Sequence, residues 1–362
     1  MRHKCFALTC ALVACAFLTG GSATSSLART GQEKDKATQG GQDAKDKDAK
    51  DKDKAATANL SDGERKAATK INEAKDPSAK LTAATDFVKK YPKSTLRPKI
   101  ADHVAGHLSN VQDSAQKLKL AETYLTVFSE PGEAELVTPY LVEGYLTANR
   151  LDDAFRIGGP WLEKNPNEVD VLRRLAILGA TEAFRENKKY AQQSQQYGVK
   201  AIELLENDTK VAGFDDAQWT EYKTRWLPVL YREMGVLALV LDNKSDALIR
   251  LENAVALKTT DPTVYAILGN LKNDDYLFMA KQYNVLPAGA EKEAALKKAQ
   301  AQMDKVIELY AQAIGTSGER PEYKPVRDQL MPALEDYYKS RHNGSTDGLR
   351  QLIDKYKQTA AK

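Results

Sequence analysis

Two histidines stand four residues apart, at His103 and His107. On a helix this spacing places both imidazoles on one face, where they could ligate the same metal ion. The residues between them are Val-Ala-Gly, without the glutamate that a zinc protease helix uses as its base. No third ligand is evident in the sequence around them. We therefore predict a pair of half-buried polar positions and no metal site.

The acidic pairs and the cysteines are the other residues that could do chemistry. Asp152-Asp153, Asp215-Asp216 and Asp274-Asp275 are predicted at helix starts, where carboxylates cap free backbone N–H groups. The only cysteines are Cys5, Cys10 and Cys15, so the rest of the chain has no disulfide and no cysteine nucleophile. The sequence also lacks a glycine-rich phosphate-binding loop and a Gly-x-Ser-x-Gly turn. We predict no catalytic residues and no cofactor.

The tryptophans allow two interpretations. Trp219 and Trp226 are seven residues apart, so they share one face of a helix. Packing into the core is the default expectation for such a pair. A binding platform is the alternative, because tryptophan is enriched at interface hot spots.

Charge and composition exclude a common class of partner. The chain has 53 basic and 50 acidic residues, which are interspersed and leave a net charge of +3. A nucleic-acid-binding protein usually carries a basic stripe. We therefore expect no nucleic-acid partner.

The first 28 residues have the layout of a secretory signal peptide. Arg2, His3 and Lys4 precede an uncharged apolar run over residues 5–18, and small residues follow. That run is shorter than the roughly 20 residues that span a bilayer. Cleavage after Ala23 and cleavage after Ala28 both fit the pattern. The sequence therefore predicts an exported protein, periplasmic or secreted.

A second interpretation of the same segment ends at Cys15. Leu12-Val13-Ala14-Cys15 resembles the lipobox of bacterial lipoproteins, in which the cysteine is acylated and becomes the mature N-terminus. This resemblance makes Cys15 the lipidation candidate and implies a membrane-anchored lipoprotein. Membrane attachment is expected only through this anchor.

Residues 29–58 form a Lys/Asp-rich segment with no aromatic side chain. So polar a segment cannot bury enough surface to offset its chain entropy, and we predict a disordered linker. From residue 59 to 362 the apolar spacing is helical and no strand signal is convincing. The sequence therefore predicts an all-α folded region.

Within this folded region the pattern repeats with a period of about 34 residues, a length typical of solenoid repeats. One matched set is Tyr231, Met234 and Gly235 with Tyr265, Leu268 and Gly269; another is Thr138, Leu141 and Tyr145 with Leu172, Leu175 and Gly179.

These residues resemble the tetratricopeptide repeat (TPR), a helix-turn-helix unit of the same length. The resemblance implies an α-solenoid in which small residues lie where paired helices cross, here Gly235, Gly269, Ala247 and Ala254. The chain departs from the pattern at Gly158 and Thr259, in extra residues around 213–226, and in an extended connection predicted at 286–289.

The resemblance also implies a function. Stacked helix pairs form a concave groove that binds peptides or partner domains. We therefore expect a non-catalytic protein–protein interaction scaffold of the bacterial cell envelope or secreted space. A lipid-anchored structural or assembly component of the envelope is the alternative. Alignment to the repeat places the following residues on the inner, partner-binding surface: Glu143, Thr147, Arg173, Thr181, Arg232, Asn270 and Asn273.

Overall fold

The computed structural model describes residues 60–211 and 214–357. The predicted signal peptide over 1–28, the lipidation candidate Cys15 and the predicted linker over 29–58 lie outside these residues. Within the described ranges every regular element is a helix, and they hold no β-strand. The predicted all-α class is confirmed for this part of the chain.

The chain divides into two compact units after Leu178. The described part of the N-terminal unit is 60–178, and that of the C-terminal unit begins at 179. Helix α8 includes the boundary. The helices are α1 Asp62–Glu73, α2 Pro77–Lys90, α3 Arg97–Leu108, α4 Ser114–Val127, α5 Pro131–Glu135, α6 Thr138–Thr147, α7 Leu151–Lys164, α8 Val169–Phe184, α9 Ala191–Glu206, α10 Asp216–Val240, α11 Lys244–Ala256, α12 Pro262–Val285, α13 Ala290–Ser317, α14 Lys324–Arg341 and α15 Leu349–Asp354.

Carboxylates begin several of these helices. The Asp215 side chain accepts a hydrogen bond from the backbone N–H of Gln218 and caps α10, and Asp261 caps α12 in the same way through Thr263. These bonds satisfy N–H groups that have no partner within the helix. The prediction for Asp274-Asp275 is wrong, because both residues lie inside α12. The charge of Asp275 is instead paired with Lys244 of α11 at 2.9 Å.

Consecutive helices pack against each other within each unit. In the N-terminal unit α1 packs on α2, and α6 packs on both α4 and α7. In the C-terminal unit α10 packs on α11 and α12 on α13, while α13 also contacts α14 and α15. Each unit is therefore built from tandem helical hairpins. Whether these hairpins are tetratricopeptide repeats of one solenoid stays a prediction.

Two glycines separated by one repeat period lie where paired helices approach each other. A Cβ added at Gly235 would stand 2.9 Å from Leu251 Cγ of α11, and one added at Gly269 would stand 2.8 Å from the Tyr310 ring of α13. Contacts this short are absent between real side chains, so only glycine fits without displacing a neighbour. Ala247 and Ala254 of α11 are fully buried. The two glycines therefore lie at close helix approaches, as the sequence predicts, and the two alanines are buried in α11.

The residues that exceed the 34-residue spacing lie in the helices rather than in the connections. Between α12 and α13 the chain turns over residues 286–289, where the sequence predicts a connection, but this connection has only four residues. Helix α12 has 24 residues and α13 has 28, against 13 in α11. The extra residues around 213–226 likewise belong mainly to α10, which has 25 residues. No described helix is both long and apolar enough to cross a membrane.

Candidate partner-binding surface

Three polar side chains of α6 and α8 meet on the surface of the N-terminal unit. Arg174 of α8 forms an ion pair with Glu143 of α6 through its Nη1 and donates from Nη2 to Thr147 Oγ1 at 3.2 Å. Thr147 Oγ1 in turn donates to Glu143 Oε1 at 3.3 Å. The side chain of Glu143 is 56% exposed. We call these three residues the α6–α8 patch.

The α6–α8 patch is chemically suited to contact another polypeptide. Its carboxylate accepts hydrogen bonds from backbone or side-chain N–H groups, and its guanidinium donates to carbonyls and carboxylates. The carboxylate of this ion pair is exposed and its guanidinium is half-buried. Ion pairs at the surface contribute only about 1 kcal/mol or less to folding, so a partner can replace this one at small cost. Two residues predicted for the inner surface, Glu143 and Thr147, are thus brought together in an exposed position.

Arg173 is placed differently from the prediction. Its side chain is only 10% exposed and forms an ion pair with Asp170 within α8. The side chains of consecutive helix residues point in directions that differ by roughly 100°. An alignment that is wrong by one position can therefore assign an inward-pointing residue to the outer surface. Arg174, which was not among the predicted residues, is half-buried and reaches the exposed Glu143 from the position next to Arg173.

Thr181 also lies on α8, but beyond the boundary, in the C-terminal unit. It is half-buried. Its carbonyl oxygen accepts a hydrogen bond from the backbone N–H of Arg185 at 3.2 Å, near the end of the helix. Its role in binding stays a prediction.

Arg232 lies in a buried cluster of charges rather than on an exposed surface. It donates from Nη1 to Glu233 Oε1 at 2.6 Å, and its Nε lies 3.0 Å from Asp261 Oδ2. Burial raises the pKa of Glu233, and the positive charge of Arg232 opposes that rise. Because Asp261 caps α12, the cluster ties the middle of α10 to the start of α12. The structure therefore corrects the predicted inner-surface position of Arg232.

Asn270 and Asn273 face other helices of their own unit. Tyr310 of α13 donates its hydroxyl to Asn270 Oδ1 at 2.9 Å, and Tyr337 of α14 donates to Asn273 Oδ1 at 2.8 Å. Burial raises the pKa of the Tyr337 hydroxyl, which keeps it a hydrogen-bond donor. Both amides thus help to hold α12 against its neighbours, and their use by a partner stays a prediction.

The histidine pair is brought together, but next to a cation. The rings of His103 and His107 lie 4.7 Å apart, and Lys80 Nζ of α2 is 3.5 Å from His103 Nε2. Burial, reinforced by the charge of Lys80, lowers the pKa of His103. A neighbouring ammonium repels a metal ion. Among residues 60–211 and 214–357, no group of three or more His, Cys, Asp or Glu side chains could hold one.

The tryptophans of α10 belong to an aromatic cluster. Trp219 is 3% exposed, stacks on Tyr222 with ring centroids 5.8 Å apart, and donates from Nε1 to Asp208 Oδ1 at 2.7 Å. Trp226 is half-buried, with its ring centroid 6.4 Å from that of Tyr222. Trp219 therefore fits core packing and not the alternative binding platform.

A second surface, absent from the sequence analysis, lies at the end of the α12–α13 hairpin. Leu277, Phe278 and Val285 of α12 are 49%, 64% and 73% exposed. Their spacing along one helix face was the available signal. It lies outside the part of the pattern that recurs from one repeat to the next, so the comparison of repeats did not reveal it.

A search of the chain against protein-family models found no match, and neither did a search against curated proteins. The assignment of a function therefore depends on the surfaces described above.

Proposed function

We propose that this protein is a non-catalytic scaffold that binds a protein or peptide partner on the exposed face of its first helices. The proposed architecture is an α-solenoid of tetratricopeptide-like repeats. Tandem hairpins with glycines at matching close approaches, one repeat period apart, support this architecture. The proposal includes no catalytic residue, no cofactor and no nucleic-acid partner.

The α6–α8 patch is the observation that carries the proposal. In the repeat alignment α6 and α8 are the first helices of adjacent units, and first helices line the binding face of this fold. In this alignment Glu143 and Thr147 belong to one repeat and Arg174 belongs to the next repeat. Polar groups that reach across two repeats in this way can contact a partner lying along the groove.

A bacterial envelope or secreted location completes the proposal, through the signal-peptide pattern before Ala28. The lipobox-like sequence ending at Cys15 favours the second candidate, a lipid-anchored assembly component. Mass spectrometry of the mature N-terminus of native material separates the two. An acylated Cys15 favours the anchored component, a free N-terminus near residue 24 or 29 favours the soluble scaffold, and an intact Met1 contradicts both.

Binding is tested in two steps. The full chain is used to isolate partners from a native envelope extract, and the affinity of each partner is then measured against variants. We expect Glu143→Ala with Arg174→Ala to weaken binding at least about tenfold, which corresponds to about 1.4 kcal/mol. The cause is the loss of charge-assisted hydrogen bonds at the groove.

The control removes an ion pair from α9, a second helix, in which the carboxylate is about as exposed as that of Glu143. Lys200 and Glu203 lie 3.2 Å apart, with side chains 39% and 53% exposed. Lys200→Ala with Glu203→Ala should leave the affinity unchanged. If the control weakens binding and the α6–α8 variant does not, the proposed binding face is wrong.

A further inference from the structure

The end of the α12–α13 hairpin extends past the preceding hairpin. Lys244, the first residue of α11, lies beside Asp275 of α12, with Nζ 2.9 Å from Oδ1. The remaining turns of α12, up to Val285, therefore continue beyond the start of α11. On their inner side Tyr276, Met279 and Tyr283 remain half-buried. This part of α12 has support on one side only.

The opposite side of this segment is apolar and exposed. Phe278 precedes Val285 by seven residues and Leu277 precedes it by eight, so all three lie within about 100° on the helix. They are the exposed side chains described above, at 49% for Leu277, 64% for Phe278 and 73% for Val285. An apolar stripe of this kind on a soluble helix marks an interaction surface. We call it the α12 outer face.

Two opposite charges lie along the α12 outer face. Asp274 and Lys281 are seven residues apart, so they share one direction on the helix but are separated by about 10 Å, too far for an ion pair within the chain. Neither takes part in an ion pair with another described residue. Leu277 and Phe278 lie midway between them. The face therefore carries an acid, two apolar residues and a base in this order. Two copies of this face that run antiparallel would place the acid of each copy opposite the base of the other.

We propose that the α12 outer face pairs with the same face of a second copy of this chain, with the two helices antiparallel. A two-fold axis between Leu277 and Phe278 brings Asp274 opposite Lys281 of the second copy, and Lys281 opposite Asp274 of the second copy. The two apolar side chains then meet their counterparts between these ion pairs. This is the isologous contact that a symmetric dimer requires.

The charges also select this register. If the two-fold axis passed through Lys281 instead, the ammonium groups of the two copies would face each other. Like charges across an interface disfavour association. Pairing two short helix segments buries less than the roughly 1,200 Å² of a standard stable interface. The dimer is therefore weak and concentration-dependent. This inference is independent of the binding face proposed for α6 and α8.

Charge reversal tests the antiparallel register. The full chain is studied by sedimentation equilibrium in a reducing buffer, so that its cysteines form no crosslinks. Asp274→Lys gives a chain with two bases on the face, and Lys281→Asp gives one with two acids. Each variant alone should dimerise at least about tenfold more weakly than the wild type. An equimolar mixture of the two should regain the dimer, because every base then faces an acid.

A second pair of variants tests the apolar contact. Phe278→Glu places a charge on the α12 outer face and should abolish the dimer, with an unchanged circular dichroism spectrum. Ile249→Glu is the control, because Ile249 of α11 is also exposed, at 58%, but lies outside the face. It should dimerise like the wild type.

Three results would each overturn the proposal. One is a wild-type chain that stays monomeric up to about 1 mM, where even an association of about 4 kcal/mol is half complete. The α12 outer face would then belong to the chain before Leu60 or to another protein. Another is a mixture of the charge variants that fails to associate. The third is a Phe278→Glu variant that dimerises like the wild type.

Discussion

The α10–α11 and α12–α13 hairpins use the same close approach but differ in length. Gly235 of α10 and Gly269 of α12 both lie against a large side chain of the next helix. Helix α11 then ends after 13 residues, whereas α13 has 28. In α12 residues 262–269 are buried, while Leu277 and Phe278 are exposed. The two matched glycines thus lie at similar helix approaches, whereas the later residues of α12 form an exposed surface that has no counterpart in α11.

The two hairpins are joined by the buried charges of Arg232 and Glu233 together with the half-buried Asp261. Arg232→Ala should have the largest effect on stability, a loss of about 3–5 kcal/mol, because it leaves two carboxylates without their cation. Urea unfolding of the variant and the wild type measures the loss.

Glu233→Gln is the matched variant of that cluster. It should cost much less, since Arg232 keeps its ion pair with Asp261 at 3.0 Å. Equal losses for the two variants would show that Asp261 alone does not satisfy the arginine. A negligible loss for Arg232→Ala would show that this cluster does not join the hairpins.

Substitution of a leucine in α12 should cost more stability where α11 packs against α12 than beyond the start of α11. Leu271 is 7% exposed and Leu277 is 49% exposed, six residues later on the same helix. Leu271→Ala should cost about 2–5 kcal/mol through a cavity. Leu277→Ala should stay within about 0.5 kcal/mol in a dilute monomer. Thermal unfolding of both variants checks this, and similar losses would mean that the end of α12 is packed.

Substitutions of the two matched glycines compare how tightly the helices pack at the two crossings. Gly235→Leu and Gly269→Leu should each cost about 1–3 kcal/mol through overpacking. The loss should be larger at Gly269, because the Tyr310 ring is held by its hydrogen bond to Asn270, whereas Leu251 can change rotamer. Urea unfolding measures both.

The control glycine is Gly106 of α3, where an added Cβ meets nothing within 4 Å. Gly106→Ala should be neutral or stabilise the protein by up to about 1 kcal/mol, through a smaller loss of backbone entropy on folding. If the two crossing variants behave like this control, the helices are not in close contact at the matched glycines.

The sequence predicts the helices and the crossings well because both depend on local spacing. Apolar periodicity gives the buried face of a helix, and a glycine that recurs after one repeat period marks a repeated close approach. Asp215 at the start of α10 is a capping prediction that the structure confirms. Each of these signals involves residues that are near in sequence, or a spacing that recurs.

The binding face was harder to predict because it depends on which polar groups of different helices meet. Asn270 and Asn273 have the spacing of an exposed pair, but tyrosines from α13 and α14 reach their amides. Arg173 and Arg174 are adjacent and identical in type, so only the rotation of α8 distinguishes them. The exposed surface at the end of α12 depends on the lengths of the helices, which the repeat pattern does not specify.

The α1–α2 hairpin extends the comparison to a second buried cation. Lys80 of α2 is 4% exposed and donates to the carbonyl oxygens of Ile71 and Asn72 at 3.2 and 3.1 Å. Unlike Arg232, it is satisfied by the end of a helix and has no carboxylate partner among these contacts. His103 of α3 lies beside it, with Asp102 and His107 as the other titratable neighbours.

Acidification should therefore slightly weaken the packing of α3 on this hairpin. The pKa of His103 is lowered from its ordinary value of 6.5, first by burial and then by Lys80 and His107. A base with a lowered pKa binds its proton more readily in the unfolded chain. Its contribution to stability is complete above pH 6.5 and is lost as the pH falls toward the lower folded value.

His103→Gln should remove this part of the pH dependence, which melting curves at pH 7 and pH 5 measure as a difference between variant and wild type. The shift should be smaller than that caused by Gly235→Leu, because the ring is only partly buried and water screens its charge. Identical pH dependence in the two proteins would mean that folding does not lower the pKa of His103.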